Sequence, residues 1–222
     1  MYLKSSRLIQ SESLRDKVYG VLKQMIIYQE IPLGEKIDED LLTKQLGVSR
    51  TPIRESLCRL ESEGIVKIIP RRGAVSVKHS KKEIVDILQI REVLEGLAVR
   101  LATLQINEST LKGLRSLFTG FSESNIRDRV REYTQADHKF HNVIIENSQN
   151  LRLVKMANSL NDLVQMLRLR TVSLKGGAEL SLLEHLDIIG AMEKKDAELA
   201  ESLMQKHIRN VQGSVLRNIQ DD

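Results

Sequence analysis

The sequence predicts a mainly α chain, an N-terminal winged helix-turn-helix followed by an all-α helical bundle. Three observations predict it. Residues 14–62 hold three helical patterns separated by turns, residues 66–77 hold two alternating segments around a basic tip, and from residue 79 onward helical periodicity runs on with no strand pattern.

In chain order, Leu14, Val18, Leu22, Met25 and Ile26 mark a first helix, and Pro32 and Gly34 a turn. Asp38 caps a short second helix containing Leu41, Leu42 and Leu46, and Gly47-Val48 turn tightly into a third. The stretch GVSRTPIRESLCRLESEG, residues 47–64, organises this half. Ser49 is placed to cap its helix through the side-chain oxygen, Pro52 lies in the first turn where a missing N–H is harmless, and Gly64 ends it. Ile53, Leu57 and Leu60 form one apolar stripe, which leaves Arg50, Thr51 and Arg54 as an exposed basic tip. Such a tip suits the DNA major groove, with bidentate arginine for guanine edges and threonine for phosphate or a thymine methyl. An ordinary amphipathic helix with a solvated basic face has the same residues, so the neighbouring elements decide. Val66 and Ile68, then Val75 and Val77, alternate on either side of Pro70-Arg71-Arg72-Gly73, a hairpin with a basic tip.

Charge supports this division. Residues 1–78 hold 14 Lys/Arg against 10 Asp/Glu, whereas residues 79–222 hold 20 of each, so the whole net charge of +4 belongs to the first part. With no Trp and only seven Phe and Tyr, stacked aromatic platforms for single strands are excluded, and duplex DNA fits better. The single Cys58 excludes an internal disulfide framework and fits a reducing cytoplasm. The opening MYLKSSRLIQ lacks a signal peptide's apolar stretch, and no apolar run is long enough to cross a membrane.

A domain boundary is expected near Lys78-His79-Ser80, giving domains 1–78 and 79–222. Beyond it, six helices are expected over 81–104, 109–121, 126–147, 150–171, 179–193 and 196–219, with breaks at Asn107, Ser122 to Asn125, Asn150 and Gly176-Gly177. Four polar residues fall where apolar ones belong. Asp137 and His141 share an inward face at i, i+4 with Val130, Ile144 and Ile145; His185 sits in the stripe of Leu182, Leu186 and Ile189; His207 sits among Ala200, Leu203, Met204, Ile208 and Val211. Any one of these histidines alone reads as a core side chain with a hydrogen-bond partner. Together, a carboxylate and three imidazoles supply ligands for zinc, nickel, manganese or iron. His138 is one residue off that face and His79 lies in the linker, so neither joins the set. Arg91 lines up with Ile84, Leu88, Leu94 and Ala98, where a guanidinium needs an anionic partner, either a ligand carboxylate or Glu95 one turn on.

The run LGVSRTPIRESLCRLESEGIVKIIPRRGAVSV, with PLGEKIDEDLLTKQL before it, resembles the DNA-binding domain of the GntR family of bacterial transcription regulators. The resemblance implies that Arg50 and Arg54 contact bases, Thr51 a phosphate, and the wing tip at Arg72 and Gly73 the minor groove. Arg59, two turns into the helix, would neutralise phosphate or pair with Glu55 or Glu63. Residues 80–222, through DHKFHNVIIENSQN, EHLDII and MQKHI, resemble the FCD domain of the FadR subfamily, with a helix count similar to its VanR-like six-helix branch. This implies Asp137, His141, His185 and His207 as ligands of a divalent metal, zinc foremost, and Arg91 as the anchor for a small carboxylate effector.

The function so implied is that of a homodimeric, ligand-responsive regulator, a repressor more often than an activator, bound to double-stranded operator DNA. Two recognition helices would read two half-sites of a palindrome, and a small organic acid on the metal would shift the bundle and change their separation. The rival readings are a sensor in which the metal itself is the signal, a purely structural metal, and a metalloenzyme. No separate general base stands near the four ligands, and catalysis gives no reason for a winged helix.

Overall fold

A computed structural model describes residues 13–172 and 177–218. Residues 1–12, Gly176 of the expected break and Ile219 lie outside the described residues. The chain divides into two compact units, Met1–Lys78 and His79–Asp222.

The first unit holds α1 (Leu14–Ile27), α2 (Glu39–Leu46) and α3 (Arg50–Ser62), then β1 (Val66–Ile69) paired antiparallel with β2 (Gly73–Ser76). Ser13 caps α1 and Asp38 caps α2 by accepting from backbone N–H groups. Gly47, with φ of 65°, makes the left-handed turn between α2 and α3. Ile53, Leu57 and Leu60 of α3 are fully buried against Val18, Leu22 and Ile26 of α1, while Leu14 stays exposed.

Two local expectations need correction. Ser49 stands at the N-cap of α3 with extended backbone, but its side chain makes no capping hydrogen bond. Pro52 at the third helical position removes one of the two N–H groups, the second and the third, that an N-cap oxygen normally takes. On β2 the inward residues are Ala74 and Ser76 rather than Val75 and Val77. Ser76 is tolerated there because its hydroxyl donates to the Pro32 carbonyl.

The second unit contains, among the described residues, α4 (Lys81–Gln105), α5 (Glu108–Ser116), α6 (Val130–Asn147), α7 (Leu151–Val172), α8 (Gly177–Glu193) and α9 (Ala197–Asn218). A reciprocal capping box between Ser80 and Glu83 starts α4, and Asn107 caps α5. The helix expected over 109–121 stops at Ser116, and residues 117–129 are turns rather than the beginning of α6. Phe118 and Ile126 are buried from those turns, which mimics helical periodicity in the sequence. Arg209–Glu92 and Arg100–Glu201 ion pairs bind the long helices α4 and α9 along their length. No helix among the described residues is long and apolar enough to cross a membrane.

Candidate nucleic-acid interface and metal centre

In the first unit, burial of the apolar stripe of α3 turns Arg50, Thr51 and Arg54 outward, and all three are exposed. With Lys36 from the strand-like segment before α2 and Arg72 and Gly73 from the hairpin tip, Arg50 and Arg54 line one groove of about 550 Å³. Gly73 has φ of 92°, a conformation that brings the hairpin tip round without steric penalty. Four cations therefore face one groove beside a helix N-terminus, the electrostatic shape of a duplex-binding surface. Three acids also line it, Asp38, Glu39 and Asp40, and two of them hold the arginines: Arg50 Nη2 is 2.5 Å from Asp40 Oδ1, and Arg54 Nε donates to Glu39 Oε2 at 2.8 Å. Arg59 belongs elsewhere. Its guanidinium lies 3.7 Å from the centre of the Tyr19 ring and 3.4 Å from Asp16, fastening α3 to α1.

In the second unit, Asp137 and His141 of α6, His185 of α8 and His207 of α9 converge. All four are buried, and one ligand atom from each lies within 4.8 Å of the others. Asp137 Oδ1 is 3.4 Å from His185 Nε2 and 3.7 Å from His141 Nε2. Behind the cluster, His141 Nδ1 meets Glu95 of α4, His207 Nδ1 meets Glu184 of α8 at 2.7 Å, and His185 Nδ1 meets the Tyr133 hydroxyl at 3.2 Å. A carboxylate only accepts, so His141 and His207 carry their protons on Nδ1 and keep the Nε2 lone pair for a cation. A carboxylate oxygen and outward-anchored imidazoles are the donor set that suits a divalent transition metal, and the residues fit one. Phe118 stacks on His185 at 5.0 Å between ring centres and Phe140 approaches it at 4.5 Å, so the cluster has an apolar wall.

Arg91 points inward as expected and is 5% exposed. Its Nε donates to Glu95, the intrahelical partner weighed from the sequence, but Glu95 also receives His141 and so links the guanidinium to the cluster. Arg91 Nη2 is buried with no hydrogen-bond partner among the described residues, and Arg91 lines a narrow cleft with Asn142 and Asn161. His138 is hydrogen-bonded to Asn142 and stands outside the cluster; His79 is half-buried at the start of the unit. The sequence reading missed Glu95, Glu184 and Tyr133 as partners of the histidines. Glu95 left a usable signal, a second charge one turn from an inward arginine; Glu184 left none.

Residues 14–75 match the family model described as bacterial regulatory proteins, gntR family, and residues 86–210 match that of the FCD domain. The HTH-type transcriptional regulator YdhC of Bacillus subtilis is 32% identical over 194 residues, 86% of each chain. The HTH-type transcriptional repressor RspR of Escherichia coli is 24% identical over 205 residues, 92% of this chain and 90% of that one. Among solved structures, E. coli McbR/YncC shares the fold with a TM-score of 0.78 at 21% identity, over 94% of this chain and 99% of the other.

Proposed function

The chain belongs to the gntR family of bacterial regulatory proteins, with an FCD domain behind its DNA-binding half, and from that premise we propose a metal-containing repressor that responds to a small organic acid. It is a DNA-binding transcriptional regulator and not an enzyme. The observation that carries the finer reading is the buried convergence of Asp137, His141, His185 and His207. These four side chains would hold a divalent transition metal, zinc foremost. A metal bound there supplies open coordination positions to a carboxylate.

The chain's own residues complete the anion site. Arg91 offers a buried Nη2 that has no hydrogen-bond partner among the described residues, in a cleft it lines with Asn142 and Asn161, and Glu95 holds it in place. A small acid is favoured over a neutral metabolite because a divalent metal held by one carboxylate and three neutral imidazoles would keep a positive charge that an anion stabilises. In the other unit, Arg50 and Arg54 read bases, Thr51 positions a phosphate, and Arg72 and Gly73 enter the minor groove. Linkage requires that an acid which weakens operator binding is itself bound less tightly on the operator, by the same factor.

The regulator works as a homodimer. Ile90, Val93, Leu97 and Leu104 form an exposed apolar stripe along α4, with a seven-residue repeat at 90, 97 and 104. Packed against its own copy about a two-fold at Leu97, Ile90 meets Leu104 and the stripe is self-complementary.

Native mass spectrometry of the protein purified from its own host, without chelators or an immobilised-metal column, tests the whole reading. The expected species is a dimer with one metal per chain and a small extra mass. A dimer with metal, unaltered in operator binding by any carboxylic acid tried, would make the metal itself the signal. Metal-free protein that still answers a metabolite would overturn the assignment of the four ligands.

A further inference from the structure

The basic tip of α3 does not present bare arginines. Arg50 and Arg54 are held by Asp40 and Glu39, the first two residues of α2. Acids at a helix N-terminus are favourable on macrodipole grounds alone. The macrodipole does not explain why each acid is met by an arginine of the recognition helix, ten and fifteen residues further along the chain.

The consequence concerns what the tip can bind. Phosphate attracts any free cation whatever the base sequence, and this sequence-blind term dominates non-specific affinity. An arginine paired with a carboxylate brings little net charge to a phosphate, and the approaching phosphate meets the carboxylate's repulsion. A base edge is uncharged and avoids that penalty. With its Nε given to Glu39, Arg54 keeps both terminal nitrogens, the fork that guanine O6 and N7 accept from.

We propose that Glu39 and Asp40 are specificity-determining residues, which neutralise Arg54 and Arg50 toward generic phosphate while leaving the terminal fork of Arg54 available to a base edge. The proposal rests on the reading that these arginines contact bases. It gives the groove's mixed lining a purpose: Lys36 and Arg72 supply attraction to the backbone, and the two arginine–carboxylate pairs supply discrimination.

The test uses full-length protein and fluorescence anisotropy on two duplexes, one selected by the protein from a random pool and one with the same composition scrambled. Glu39→Gln and Asp40→Asn, singly and together, keep shape and leave the Asp38 cap intact. The double variant is expected to bind the scrambled duplex roughly 3- to 10-fold more tightly, with a steeper salt dependence, while the selected duplex gains less. Unchanged scrambled binding and salt slope, or an unchanged ratio between the duplexes, would overturn the proposal. The single variants carry the same comparison if the double variant folds poorly. Arg54→Ala is read separately: equal losses on both duplexes would refute the base-contact reading itself, whatever the acids do.

Discussion

Glu95→Gln is the substitution with the largest calculable consequence. Glu95 is 3% exposed and accepts from both Arg91 Nε and His141 Nδ1. Glutamine keeps the shape but has one acceptor oxygen, so its amide nitrogen is set against one of two donors, and Arg91 loses its charge partner in a buried setting. Breaking a buried pair from one side costs about 3–5 kcal/mol. With a urea m-value of about 2 kcal/mol/M, the unfolding midpoint falls by about 1.5–2.5 M, followed by circular dichroism, a signal dominated by the helical unit. The same change loosens His141, and loss of such an outer partner weakens metal binding by about 10- to 100-fold, read by competition with a chromogenic zinc chelator. A Glu95→Gln protein within about 0.5 kcal/mol of wild type with unchanged zinc affinity would refute the reasoning, because neither the ion pair nor the imidazole anchor would then matter.

Chelation of protein as isolated should lower its melting temperature, and added zinc should restore it; saturation at 100 times Kd contributes about 2.7 kcal/mol. His185→Ala should remove that dependence on zinc altogether, as thermal scans with and without chelator would show. Phe140→Ala, at a fully buried ring against His185, should cost about 3–5 kcal/mol in chemical denaturation, and a value near zero would mean the apolar wall is not part of the core. Ser80→Ala should cost about 1 kcal/mol by removing half of the capping box on α4. Ser80's hydrogen bonds hold the Glu83 carboxyl below its ordinary value of 4.5, so this stabilisation is present above that value and disappears as pH falls below it. The difference between wild type and Ser80→Ala should therefore shrink in acid.

What the sequence disclosed was what repeats locally. The stripe of Ile53, Leu57 and Leu60, the cap at Asp38, the break at Asn107, and the i, i+4 pairing of Asp137 with His141 are each set within a few residues, and the structure has them as the spacing implies. What it hid depends on tertiary neighbours. Glu184 looks like a surface acid until α9 brings His207 to it, and Glu95 looks like a partner of Arg91 alone until α6 brings His141 to it. Turns at 117–129 bury Phe118 and Ile126 at helix-like intervals, so periodicity alone extends the helices across them. The inward face of β2 is set by the Ser76 hydroxyl reaching a carbonyl 44 residues away, which no alternation of apolar residues records. Ser49 shows the opposite failure, a correct residue at a correct position that makes no cap bond, with one of its two usual partners deleted by the proline three places on.

The convergence of α4, α6, α8 and α9 on one cluster also has a consequence for time. Asp137, His141 and His185 leave the ribosome before His207, and the outer partner Glu95 precedes it by more than a hundred residues. Domains fold as units during synthesis, the N-terminal one first. The winged-helix unit can therefore form while the cluster still lacks its fourth side chain. Contacts this distant along the chain form slowly, because loop closure precedes their reward. A newly made chain thus has its winged-helix unit complete before its Asp/His cluster, and the interval between the two is set by elongation and by the docking of α9.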